Sequence, residues 1–204
     1  MINLFKMRKL VLFMHTTLDG FVGGPHGELD WVLTDDEIFD FAKKLTDQSD
    51  TALYGRVTYQ LMESYWPTAG EKPDATKQDK HHSAWYNKVE KIVVSRTLNH
   101  ADLINASVIN DHLIEEVNQL KQKAGKNIVI FGSPGIAKEL INKNIIDDYW
   151  LFLNPVLLGH GILLFNGYQK IINLHLLSTH TFANGVVCLH YNKIIDPSTN
   201  MNYE

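Results

Sequence analysis

The apolar positions of this chain switch between two spacings. Residues 9–15 (KLVLFMH) form a short, nearly continuous apolar run rich in Val, Leu and Phe that stops at Leu18-Asp19-Gly20, the pattern of a buried strand. The period then changes. Thr34-x-x-Glu37 spells a capping box, and Ile38, Phe41, Ala42 and Leu45 follow at helical spacing, which predicts an amphipathic helix over residues 35–47. Residues 51–54 predict a second buried strand, closed by Gly55, with Val57, Leu61 and Tyr65 as the inner stripe of the next helix. A third strand is predicted over residues 91–95. A helix over 111–124 turns Leu113, Val117 and Leu120 inward and stops at Gly125, and a fourth strand covers 127–131. Gly132-Ser133-Pro134-Gly135 then leads into a helix reaching residue 142.

Two stretches break the alternation. Residues 66–82 are polar without any apolar period and predict an exposed loop or flap. After Asp147 strands occur without intervening helices, and Asn184-Gly185 predicts a type I′ hairpin because that turn needs positive φ at both central residues. Parallel strands joined by helices and finished by an antiparallel hairpin give an α/β fold: a three-layer α/β/α sandwich around a mixed sheet. One domain over residues 7–195 is expected, with flexible termini at 1–6 and 196–204.

Composition narrows the function classes. The net charge of −4, with Lys and Arg scattered singly, leaves no footprint for nucleic acid. No run approaches the ~18 apolar residues of a membrane span. Cys188 is the single cysteine, which removes any internal disulfide or thiolate cluster and fits a reducing, cytoplasmic setting. The histidines show no ligand spacing, so no metal site is expected.

The glycine turn is the chemical signal. A strand entering a helix through Gly-Ser-Pro-Gly offers free N–H groups at the positive end of the helix dipole, and glycines let a phosphate approach the backbone. Pro134 at the first helical position loses nothing there. Plain strand-to-helix punctuation explains the same residues. The spacing matches neither a P-loop nor Gly-x-Gly-x-x-Gly, and the turn follows the fourth strand, not the first.

Four segments in order, TTLDGFVGG (16–24), LYGRVTYQ (53–60), IVVSRTL (92–98) and FGSPGIAKEL (131–140), resemble the dihydrofolate reductase superfamily, in particular its branch containing the reductase domain of riboflavin biosynthesis. The resemblance implies a dihydrofolate reductase-like fold and NADPH as cofactor. It places the nicotinamide by His15 and Thr17 and against Val22 and Gly23. Gly55, Arg56 and Thr58 are implied at the phosphates, Ser95 and Arg96 at the adenosine 2′-phosphate, and Phe131, Gly132, Ser133, Pro134, Gly135 and Ile136 around the diphosphate. It further implies Asp36 as the carboxylate that binds substrate and supplies the proton, from the spacing Trp31-x-Leu33-x-x-Asp36. Trp31, Phe39 and Trp66 would form an apolar wall for the substrate.

The implied activity is hydride transfer to a small heterocyclic or ribosylaminopyrimidine-type substrate, as in 5-amino-6-(5-phosphoribosylamino)uracil reduction. Dihydrofolate or pterin reduction is one alternative, and a non-catalytic nucleotide-binding domain is another. The hairpin over residues 174–194 carries apolar residues on both faces, more than one covered face requires, so a homodimer is expected.

Overall fold

The computed structural model describes residues 7–98, 103, 105–167 and 170–194. The expected flexible termini lie outside them. The described residues form one eight-stranded sheet with helices on both faces. In chain order the elements are β1 (Leu10–Thr17), α1 (Asp36–Asp47), β2 (Ser49–Gly55), α2 (Arg56–Glu63), α3 (Trp66–Ala69), α4 (Lys77–Lys88) and β3 (Glu90–Val94). Then come β4 (Ala106–Ile109), α5 (Leu113–Gln122), β5 (Asn127–Phe131), α6 (Pro134–Asn142), β6 (Asp148–Asn154), β7 (Leu174–Thr181) and β8 (Val187–Lys193).

The strand order is β4-β3-β2-β5-β1-β6-β8-β7. The first six run parallel, and β8 is antiparallel to both β6 and β7. This mixed sheet matches the expected dihydrofolate reductase-like α/β class. Residues 10–13 and 127–131 are apolar on both faces because helices cover both. Leu10, Leu12, Ile128 and Ile130 face α5 and α6, while Val11, Phe13, Val129 and Phe131 face α1, α2 and α4. These two cores make the three layers.

Local structure departs from the sequence reading in four places. The N-cap of α1 is Asp35, whose carboxylate accepts from Ile38 N–H at 2.9 Å, so the expected Thr34 capping box does not form. A cap needs extended backbone and a short acceptor, and Asp35 meets both at φ −151°. Residues 66–82 are not a loop. They carry α3 and the start of α4, which opens with a reciprocal capping box between Thr76 and Asp79. Its inward residues are Ser83 and Tyr86, with the His82 ring between Trp66 and Trp85, a face too mixed in polarity to register as a period. Strand β4 was not anticipated at all; it is a four-residue edge strand. The β7–β8 hairpin forms, but its turn is Phe182–Gly185, closed by Gly185 N–H to the Phe182 carbonyl at 3.0 Å. Of its residues only Gly185 takes a positive φ, 90°, so it is not type I′.

Candidate active site

β1, β5 and β2 are parallel neighbours, so their carboxyl ends open on one edge of the sheet, where crevices of α/β sheets bind ligands. A cleft of about 740 Å³ lies there. Phe13, Met14 and His15 of β1 and Phe131 of β5 form its floor. The residues Val22 to Val32 form one wall, the first turns of α2 the other, and the turn 132–136 closes one end.

The first wall is pinned by the Leu18-Asp19-Gly20 turn. The Asp19 carboxylate accepts from the Thr17 hydroxyl and from the N–H groups of Leu158 and Gly159. The Thr17 hydroxyl first, then those N–H groups, hold its carboxyl below the usual range. Val22 N–H donates to Ile162 C=O at 2.8 Å and Ile162 N–H to Gly23 C=O at 2.9 Å. A Cβ at Gly161 would stand 2.3 Å from the Gly23 carbonyl oxygen, so a glycine is required for the two backbones to meet.

At the closed end two helices point their N-termini into the same space. Ser133 precedes α6 with φ 55° after Gly132 at φ 58°, a left-handed pair that turns β5 sharply into the helix. The Ser133 hydroxyl accepts from Gly55 N–H at 2.8 Å, which ties this turn to the start of α2. Among the described residues neither helix has a side-chain cap, which leaves the N–H groups of Gly135 and Ile136 and those at the start of α2 available to the cleft. Gly135 has no atom within 4 Å of where a Cβ would stand. The diphosphate of a dinucleotide fits this cradle: the donors are backbone, the dipoles favour an anion, and the space beside Gly135 is open.

Of the residues the sequence implied, His15, Val22, Gly23, Gly55, Arg56, Thr58 and Phe131 to Ile136 line the cleft. Thr17 does not; its hydroxyl serves the turn, accepting from Phe21 N–H at 3.0 Å. Ser95 and Arg96 also lie outside the lining. Ser95 is buried and its hydroxyl accepts from the N–H groups of Thr97 and Leu98. Arg96 is exposed, two residues beyond Val94, which pairs with Gly55, so both arginines leave adjacent parallel strands at the same sheet edge.

The structure does not bring the expected substrate wall to the cleft. Asp36 is exposed at the first position of α1, and no Asp or Glu lines the cleft among the described residues. Its place in the first helical turn is explained by the dipole. Trp31 donates its Nε1–H to Glu28 C=O at 3.1 Å. Phe39 borders a separate hollow of about 90 Å³ between α1 and α4. Trp66 packs on His82 with ring centroids 4.1 Å apart. The actual wall is Leu29, Val32, Val57, Leu61 and Met62. Val57 and Leu61 are 69% and 56% exposed. Their helical stripe was read as facing the core, and Tyr59 is the buried residue of α2 instead.

His15 is the polar group on the floor. Its ring stacks on Phe152 at 5.0 Å, and burial pulls its pKa from 6.5 to about 4, so the imidazole is neutral at physiological pH. The buried Asn154 holds it. The amide Nδ2 of Asn154 faces His15 Nδ1 at 3.3 Å and the carbonyls of Thr16 and Phe152, while its Oδ1 accepts from Leu33 N–H at 2.9 Å.

Comparison with known proteins bears on the family and the fold. The RibD C-terminal domain matches residues 8–188. The chain belongs to the RibD C-terminal domain family. It is 39% identical to the uncharacterized protein YyaP of Bacillus subtilis (strain 168) over 193 residues, 94% of this chain and 98% of that one. A putative riboflavin biosynthesis protein from Shewanella sp. PV-4 shares the fold with a TM-score of 0.71 at 18% identity, covering 92% of this chain and 99% of that one. Dihydrofolate reductase from Enterococcus faecalis, solved with NADP(H) and RAB-propyl, superposes with a TM-score of 0.60 at 18% identity over 91% and 96% of the two chains. Family and fold together are those of reductases of the riboflavin and dihydrofolate type.

Proposed function

We propose that this protein is an NADPH-dependent reductase that transfers hydride to a small, flat substrate. The observation that carries the reading is the convergence of two uncapped helix N-termini and the Gly132–Ser133 turn on one end of an apolar cleft. The diphosphate is held by the N–H groups of Gly135 and Ile136 and by those at the start of α2, beside Gly55 and Thr58. Pro134 and Phe131 shape that end. His15, Val22 and Gly23 would hold the nicotinamide at the β1 end, with Thr17 acting through the turn it anchors. When bound, a reduced nicotinamide supplies hydride from C4. The chain's own part is to hold two carbons in contact and exclude water, which the Leu29, Val32, Leu61 and Met62 wall does.

The choice of NADPH over NADH rests on Arg56 and Arg96. They leave adjacent strands at one edge, and neither pairs with a carboxylate among the described residues. A 2′-phosphate demands cationic partners. Titrating NADPH and NADH against wild type, Arg56→Ala and Arg96→Ala by tryptophan fluorescence tests this. Each variant loses roughly ten- to a hundred-fold in NADPH affinity, from about 1.5–3 kcal/mol per charge-assisted bond, with NADH little changed. Equal loss of both cofactors would make the arginines structural.

A further inference from the structure

We infer that His15 is the substrate-orienting donor of this reductase, presenting a neutral imidazole N–H to the carbonyl oxygen of an uncharged planar substrate. The inference rests on the proposed hydride transfer and names the substrate class.

The tautomer follows from the neighbours. The amide nitrogen of Asn154 can only donate, so the facing Nδ1 of His15 accepts. The Asn154 amide is itself oriented, because Oδ1 receives the Leu33 N–H and the two Nδ2 hydrogens are shared among His15 Nδ1 and the Thr16 and Phe152 carbonyls. A neutral His15 therefore carries its proton on Nε2. Phe152 covers a ring face and Phe13 meets the ring edge-on, 5.6 Å away. Among the described residues Nε2 has no hydrogen-bond partner, and His15 lines the cleft. A donor locked by a fully buried amide and left without an acceptor is a pre-organised contact for a ligand.

The rest of the cleft says what that ligand is. Among the described residues no carboxylate lines it, so a cyclic amidine such as a pterin, which presents paired N–H donors, finds no carboxylate to receive them. Among the described residues Arg56 is the one Lys or Arg in the lining and stands at the phosphate end, so a phosphorylated or glutamylated substrate meets no Lys or Arg at the other. A largely apolar wall with the His15 donor on the floor fits a neutral ketone or quinone-like heterocycle. In the step, hydride from the reduced nicotinamide forms a C–H bond at the carbonyl carbon and the C=O π pair moves to oxygen. The alkoxide takes its proton from solvent as the product leaves the cleft, giving the alcohol and the oxidised nicotinamide. His15 stabilises the developing charge on oxygen and keeps its own proton.

The test uses the full chain and three acceptors: N-methylisatin, a dihydropterin and a phosphoribosylated aminouracil. NADPH affinity is measured first without acceptor, then NADPH oxidation with each. We expect kcat/KM for N-methylisatin about tenfold or more above the other two. His15→Phe, which keeps a ring of similar shape on the floor of the cleft, lowers it about tenfold, a larger change than in the NADPH Kd, and His15→Gln, whose amide can donate, recovers part. Preference for either other acceptor, turnover of none by protein that binds NADPH, or full activity in His15→Phe overturns this inference alone. Absence of NADPH binding overturns the reductase reading with it.

Discussion

Replacing Gly135 with Ala should push stability and cofactor affinity in opposite directions. Gly135 is the second residue of α6, its φ is not in the positive region, and a Cβ there meets no protein atom within 4 Å. Alanine is therefore unstrained, and it removes backbone freedom from the unfolded chain. The gain is about 0.5–1 kcal/mol, or a Tm rise of roughly 1–4 °C for a chain of this size. The same methyl enters the open space where the diphosphate would meet the Gly135 and Ile136 N–H groups. Holding a phosphate oxygen off one such donor forfeits about 1.5–3 kcal/mol, a ten- to hundred-fold loss of affinity. Gly135→Val enlarges the binding loss and gives back the helix gain, because β-branching restricts χ1. Calorimetric melting without ligand and fluorescence titration with NADPH read the two effects separately. Unchanged NADPH affinity in Gly135→Ala would refute the assignment of the turn to the diphosphate; a lowered Tm would refute the open-space reading of the residue itself.

Acid should weaken the fold early. Burial depresses His15 and His82 from 6.5 to about 4, so between those values the unfolded chain binds more protons. Their stabilising effect is complete above pH 6.5 and is lost as pH falls toward 4, on the order of 3 kcal/mol for each. Urea midpoints that stay flat from pH 7 to 4.5 would contradict this. Cys188 is buried and its thiol is pushed up to about 12, so an aromatic disulfide reagent at pH 8 should label it only after denaturant is added; fast labelling of the native protein argues against that burial. On the edge strand β7, Leu176 and Leu177 are 44% and 45% exposed, which keeps the expected homodimer a proposal. Light scattering should give twice the 23.3 kDa of the chain, and a mass of one chain at all concentrations counts against it.

The sheet and the glycine turn after β5 were legible in the order of residues because each depends on a local rule. A run such as residues 128–131, apolar at successive positions, has to be covered on both faces wherever it sits. Gly132-Ser133-Pro134-Gly135 has to bend there because its residues admit the left-handed turn and a helix start. The substrate end was not legible. Val57 and Leu61 share a helical stripe with the same period whether the stripe meets a core or a ligand, and only the strand order, with β5 between β1 and β2, leaves a cleft in front of it. Asp36 stands in a suggestive spacing, yet the direction of its side chain is set by where α1 docks, and α1 starts with that residue exposed. His15 and Asn154 are 139 residues apart, and no local pattern joins them. The parallel pairing of β1 with β6 sets Thr17 opposite Asn154, and that register turns an ordinary histidine at a strand end into a neutral, oriented donor. Periodicity tells which faces are apolar; what lies against them is decided by long-range pairing.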